Sequence, residues 1–242
     1  MLMLTHTYLL QKMMGTTGIQ HSEPDIYIYN IAPDLLTIHP KIHSNQTHGI
    51  NRFWDSPAQH EKTAYVMFHL LVDDLAHYGK ISIKCVEEFD PHSQGYTYLK
   101  GRPLIESIMA LHQMINRDIS YPEAAYRSHL IIEMIYDLVI LVRIHKEGSM
   151  ELLEDAIHFT IDRKKDAFSN DMGWLYGFNK EYVLDVLKNA VLYITKDRME
   201  RIMNIEGRIR LFTDKFGLKN NNSMFGKAIY TLFHDALSSV EN

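Results

Sequence analysis

The chain has 242 residues, 46% of them hydrophobic and 23% charged, with 12 Gly and 7 Pro, the composition of one ordinary globular domain and not of a disordered or fibrous chain. A formal net charge of -5 excludes a broad basic surface for nonspecific nucleic-acid binding, and the lone Cys85 excludes an internal disulfide framework or a cysteine-rich zinc knuckle, so any metal must be held by nitrogen and oxygen. The most apolar run, residues 130–142, carries Glu133 and Asp137 and is too short to cross a bilayer; with no secretory signal in residues 1–6, a soluble, cytoplasmic protein is expected.

Helical periodicity dominates and no long alternating stretch suits a half-buried sheet, which predicts an all-α fold, a single-domain multi-helix bundle. The first helix is expected over residues 2–14, before Gly15. A stretch rich in Pro, His and Asn then runs over 18–56 as a loop, and since loops of that length are uncommon in compact domains, short helices or metal ligands are expected to pin it. Ser56 as N-cap and Pro57 at the first helical position open a helix to Tyr78, stopped by Gly79, with Tyr65, Phe68, Leu71 and Leu75 as its buried stripe. Residues 80–101, including Ile81-Ser82-Ile83 and Tyr96-Thr97-Tyr98, are expected to form a loop. Pro103 starts a helix to about 116, and Ser120-Tyr121-Pro122-Glu123 starts a long one to about 146, closed by Gly148. Further helices are predicted over 151–167, over 180–216 with Gly207 as its weakest point, and over 224–240. Residues 168–179 are the best linker candidate. The chain divides into a metal-site helical core, 1–147, and C-terminal helices, 148–242, packed on the same domain.

The 14 histidines are not scattered evenly. In a helix, His69, Asp73 and His77 fall at i, i+4 and i+8 and form one stripe of metal-ligand types. His129 and Glu133 repeat the i, i+4 pairing on a second apolar helix. Burying one histidine in a core is ordinary, but five ligand-type residues on two apolar helices incur a desolvation cost unless something pairs them. Zinc accepts these donors, and Asp73, between His69 and His77, is placed to bridge two ions. Upstream stand His6, Asp34 and His48.

The ordered set His6, Asp34, His48, His69-xxx-Asp73, His77, His129-xxx-Glu133 resembles the trinuclear zinc site of bacterial zinc-dependent phospholipase C and of the fungal single-strand nucleases that share its fold. The resemblance covers roughly the N-terminal half. It implies that His48, His69 and Asp73 hold one zinc, that His77, His129 and Glu133 hold a second, and that His6 holds a third with Asp73 bridging. Asp34 matches the family's carboxylate beside the metal-bound water, the expected general base. The interval from Asp73 to His77 is shorter than in the secreted enzymes, and His6 follows an unprocessed Met1, as in a signal-less bacterial branch of the family.

The expected activity is hydrolysis of a phosphodiester by a metal-activated water, with two or three Zn2+ ions as cofactor and a small or lipid-like substrate; neither a basic groove nor an aromatic platform for bases is evident. The alternative is a noncatalytic helical protein with structural zinc and a partner-binding C-terminal half. A carboxylate-bridged di-iron bundle would need paired Glu-x-x-His motifs, and the sequence has none. Asp25, His21, His39, His43 and His60 are assigned to the surface or to support of the ligands, and Asp74 to support; His112, His145, His158 and His234 are assigned to core or surface.

Overall fold

The computed structural model describes residues 2–17, 23–82, 92–218 and 222–241. Its helices are α1 (Met3–Thr17), α2 (Ile26–Leu35), α3 (Ser44–His48), α4 (Ala64–Tyr78), α5 (Tyr96–Gly101), α6 (Ile105–Gln113), α7 (Tyr121–Val139), α8 (Leu141–Lys146), α9 (Ser149–Phe159), α10 (Lys165–Tyr176), α11 (Lys180–Tyr193), α12 (Lys196–Ile202), α13 (Ile205–Phe216) and α14 (Ser223–Glu241). There is no strand among the described residues, so the all-α expectation holds. No described helix is long and apolar enough to cross a membrane.

Most of the expected 18–56 loop is structured. α2 lies there, with Ile28, Tyr29, Ile31, Ala32 and Leu35 wholly buried. A helix buried on nearly every side shows little polar face to give it a period, Asn30 and Asp34 being its polar residues, and Pro33 inside it reads as a breaker; both hide it in the sequence. His21 lies outside the described residues, as do Ile83 and Cys85.

Pro57 opens a 3-10 segment, Ala58–Thr63, kinked at His60 (φ -128°, ψ 25°), and α4 itself begins at Ala64. The Thr63 hydroxyl bonds the His60 carbonyl at 2.7 Å and meets Ser56 Oγ at 2.7 Å, which holds the kink. The stripe expected to be buried on α4 is displaced. Leu75 is 51% exposed, while Val66, Met67, His69, Leu70, Asp73, Asp74 and Ala76 face inward. The ligand-type residues occupy the inside face, and the larger apolar side chains flank them.

Residues 96–101, expected to be loop, form α5. Gly95 and Gly101 bracket it because α5 lies against backbone: a Cβ on Gly95 would stand 2.0 Å from the His77 carbonyl carbon, and one on Gly101 2.8 Å from Ser128 Oγ and 3.2 Å from the His129 amide nitrogen. The Ser93 hydroxyl bonds the His77 carbonyl, and Thr97 Oγ1 bonds that of Ala76 at 3.1 Å. These contacts satisfy carbonyls left open at the end of α4, where Gly79 takes φ 68°.

The long helix from Ser120 breaks at Ile140 (φ -92°, ψ 6°) into α7 and α8. The predicted 180–216 helix is α11, α12 and α13, with breaks at Ile194 and at Met203–Asn204, not at Gly207. Residues 168–179 are no linker. Phe168 and Met172 are fully buried on α10, and each such side chain contributes about 1.5–3 kcal/mol of burial.

Two apolar clusters form the core. One joins α1, α2 and α4 to α9, α10 and α11 through residues such as Leu10, Ile31, Leu70, Leu153, Phe168 and Val186. The other joins α6 and α7 to α13 and α14 through Ile108, Ile131, Ile135, Phe212 and Phe233. Tyr136 and Leu138 at the end of α7 pack against both. Each cluster therefore draws on both halves of the chain.

Candidate metal centre

Five helices converge on one polar interior. α1 supplies His6, α2 supplies Asp34 in its last turn, α3 ends on His48, α4 carries His69, Asp73 and His77, and α7 carries His129 and Glu133. Their donor atoms fall into three groups: His6 with His69 and Asp73, Asp34 with His48 and His69, and His77 with His129 and Glu133. Within each group the atoms lie within 4.8 Å of one another. All eight residues singled out from the sequence are in these groups, and each group can hold a metal ion.

Asp73 Oδ1 stands 3.1 Å from His6 Nε2, and its Oδ2 stands 3.2 Å from His69 Nε2 and 3.5 Å from His48 Nε2. Asp34 Oδ1 stands 3.6 Å from His48 Nε2 and 4.0 Å from His69 Nε2. Two ligands on a tetrahedral zinc at ordinary bond lengths are about 3.4 Å apart, so these spacings suit donors sharing an ion. His77 Nε2 and Glu133 Oε1 are closer, at 2.5 Å, and bond each other directly.

Both ring nitrogens of His6 and of His69 are buried without a hydrogen bond, and neither residue is exposed at all. The two rings stack at 3.6 Å with an interplanar angle of 15°. Buried imidazole nitrogens that make no hydrogen bond are costly. A metal ion that takes the lone pair of one nitrogen on each ring suits such a set, with the Asp73 oxygens standing 3.1 and 3.2 Å from the Nε2 atoms as further donors.

The electrostatics agree with neutral imidazoles inside and a charged one at the edge. Burial, reinforced by neighbouring His69 against the pull of Asp73, lowers His6 to about 4. Burial lowers His129 to about 3. Burial also opposes the charged form of His48, but its bonds to Asp34 and Asp73 outweigh that and raise it to about 10. Burial works against ionised Asp34, Asp73 and Glu133 too, yet nearby positive charge holds all three below the ordinary carboxylate range, that of His48 and His69 in the case of Asp34.

The donors differ in how far they are covered. Side chains of His6 and His69 are fully covered and that of Asp73 is 6% exposed, while Asp34 is 28% and His48 19% exposed. Asp34 and His48 are therefore the partly exposed donors of the first two groups, and His77, 20% exposed, is that of the third.

Supporting residues hold the donors. Asn30 Nδ2 bonds the His6 carbonyl at 2.9 Å. Thr5 Oγ1, one residue before His6, bonds Asp137 Oδ1 at 2.5 Å, and Arg208 on α13 bonds Asp137 Oδ2 at 2.9 Å. The sequence did carry a signal for Asp137, which continues the His129, Glu133 stripe by one more turn. Asp74 turns away from the donors and pairs with Arg52. Asp25 pairs with Lys62 at 2.6 Å, His60 with Asp171 at 2.6 Å, and His39 stacks on Tyr182, so none of these joins a donor group. His43, His145 and His158 are exposed, His112 is buried against Arg127, and His234 is half-buried beside Tyr230.

The structure also has an exposed aromatic surface that the sequence did not reveal. Phe53 and Trp54 are 60% and 48% exposed, Trp54 lies 5.7 Å from Trp174, and His60 stacks on Trp174 at 4.5 Å. Trp174 comes from far along the chain, so the pairing with Trp54 and His60 had no local pattern to announce it. Comparison of the chain with protein-family models, with curated proteins and with solved structures finds no match.

Proposed function

We propose that this protein is a zinc-dependent hydrolase of phosphoester bonds, a phosphodiesterase resembling zinc-dependent phospholipase C. The observation that carries the reading is the meeting of His6, Asp34, His48, His69, Asp73, His77, His129 and Glu133 in three donor groups, in an order along the chain that resembles that family. The buried imidazole nitrogens of His6 and His69 without hydrogen bonds support metal over a bare polar core. Zinc bound here would supply Lewis acidity toward a phosphoryl oxygen and make water more acidic.

The chain's own groups do the rest. His6, His69 and Asp73 form the covered group, and His77, His129 and Glu133 the second arm. Asp34 is partly exposed, with its carboxyl held ionised at neutral pH by His48 and His69. It receives the proton of the attacking water at a carboxylate oxygen as that water adds to phosphorus and the opposite P–O bond breaks, the departing alkoxide taking a proton from solvent. The net charge of -5 disfavours a polyanionic substrate, and the Phe53–Trp54 surface suits an apolar leaving group, so a small or lipid-like phosphodiester is the proposed substrate.

A second reading, zinc that only staples helices, is favoured by the complete burial of His6 and His69. Turnover of a chromogenic phosphodiester by the purified chain, lost with chelator and restored by zinc, is expected from the hydrolase. Bound zinc with no turnover on any phosphodiester offered would favour the staple.

A further inference from the structure

The short helix α3 is fixed at its start, where Gln46 Oε1 accepts the His43 amide at 2.8 Å, and needs outside support at the end that carries His48. It has five residues and His48 is the last of them, whereas isolated helices become marginal below about 12–15 residues. The ring is partly oriented locally: Nδ1 lies 2.9 Å from Thr47 Oγ1, 3.1 Å from the Ser44 carbonyl and 3.2 Å from Ser44 Oγ, which turns Nε2 toward Asp34 and Asp73. The backbone that carries the ring is held from elsewhere.

Arg52 is 3% exposed, and its guanidinium is committed on two sides. Nε and Nη2 donate to the two oxygens of Asp74 at 3.2 and 3.0 Å. Nη1 donates to the carbonyls of His48 at 2.5 Å and Ile50 at 2.6 Å. Asp74 is 1% exposed and also accepts the Ser82 amide at 3.0 Å. Successive residues on a helix point about 100° apart, so α4 presents Asp73 to the imidazoles and Asp74 to the arginine that grips the His48 backbone.

We propose that Arg52 and Asp74 are a positioning pair that registers His48 against α4 and so sets the metal affinity of the Asp34, His48 and His69 group without touching the ion; the inference rests on the metal reading above. A buried ion pair is weak as a stabilising device, since apolar replacements of the same volume are often neutral or better. Its use here is geometric. Only a planar fork can engage both Asp74 oxygens and two carbonyls together, which a lysine cannot do.

The test uses Co2+ as the probe, titrated into metal-free protein and followed by visible absorption and by cobalt bound per chain. In Arg52→Met/Asp74→Leu, which removes both charges together, the circular dichroism and melting temperature are expected to stay near those of wild type. Affinity for one cobalt is expected to fall about 10–100-fold, the usual effect of losing an outer-shell partner, while the ion at His77, His129 and Glu133 stays bound. Arg52→Lys is expected to fall between, and it decides the matter if the double variant does not fold. Wild-type affinity and stoichiometry in these variants, or an equal loss at every ion, overturns the positioning role alone. A wild-type chain that binds no cobalt overturns the metal reading, and the positioning role with it.

Discussion

Asp34 and Asp73 are both carboxylates among imidazoles, yet their surroundings predict opposite phenotypes. Asp73 reaches three histidines and is almost covered, whereas Asp34 is partly exposed. Asp34→Asn is expected to lower phosphodiester turnover by about 10²–10⁴-fold, the usual worth of a positioned base, with most of the metal retained. Full activity would remove Asp34 from the mechanism, and loss of a whole zinc equivalent would make it a primary ligand. His69→Ala and Asp73→Ala should each lose metal and thermal stability together, because ligation energy is partly folding energy; metal content unchanged in both would assign them to the core.

The buried neutral histidines also set a pH dependence for the metal-free chain. His6, His112 and His129 have folded values of about 4, about 4 and about 3 against an ordinary 6.5. A depressed value means stability that is whole above 6.5 and lost as pH falls toward the folded value, on the order of 3 kcal/mol for the covered His112. His48, raised to about 10, works in the opposite window, its contribution being lost as pH rises from 6.5 through 10. The melting temperature of metal-free protein should therefore drop between pH 6.5 and 4, and His112→Gln should shallow that drop. A flat profile would mean that these imidazoles are not held neutral. Residues of the stripe on α4 and the pair on α7 were legible in the sequence because i, i+4 spacing is a local signal. Arg52 was not, since it lies outside any helix and Asp74 stands 22 residues further along the chain, so no periodic pattern pointed to the pair.

At the scale of elements, placement depends on close backbone approach and on buried pairs. A methyl at Gly95 would collide with the His77 carbonyl, so Gly95→Ala must push α5 or the end of α4 aside. It is expected to destabilise by about 1–3 kcal/mol, as overpacking does, and to weaken metal binding at His77, His129 and Glu133 before the other groups. Unchanged metal binding and stability would show that the approach is not required. The Thr5, Asp137 and Arg208 network ties α1, α7 and α13 together beside His6. Asp137→Ala leaves Arg208 buried with its charge uncompensated and should cost about 3–5 kcal/mol, read from denaturant midpoints. Asp137→Leu/Arg208→Met should recover most of that, and equal losses in the two variants would contradict the charge account. Most amphipathic helices were foreseen because one polar face gives them a period. α2 escaped because it is buried on nearly every side and carries Pro33, and α5 because it is too short to display a period.

Across the whole molecule, the donors come from α1, α2, α3, α4 and α7, while the helices after Gly148 pack against them through both apolar clusters. Metal bound among five helices is linked to the folding of all of them, since the unfolded chain offers no assembled site. The division of labour between donor helices and covering helices was legible from where the histidines fall; the intimacy of their packing was not, because it depends on tertiary contacts of Phe168, Met172 and Phe212. The most direct measurement is elemental analysis of the chain purified without chelator and again after reconstitution with zinc. At least two zinc equivalents per chain are predicted, with a melting temperature that falls when they are stripped and recovers when they return. A chain that carries no transition metal, takes up none, and melts identically with and without zinc would contradict the metal centre itself.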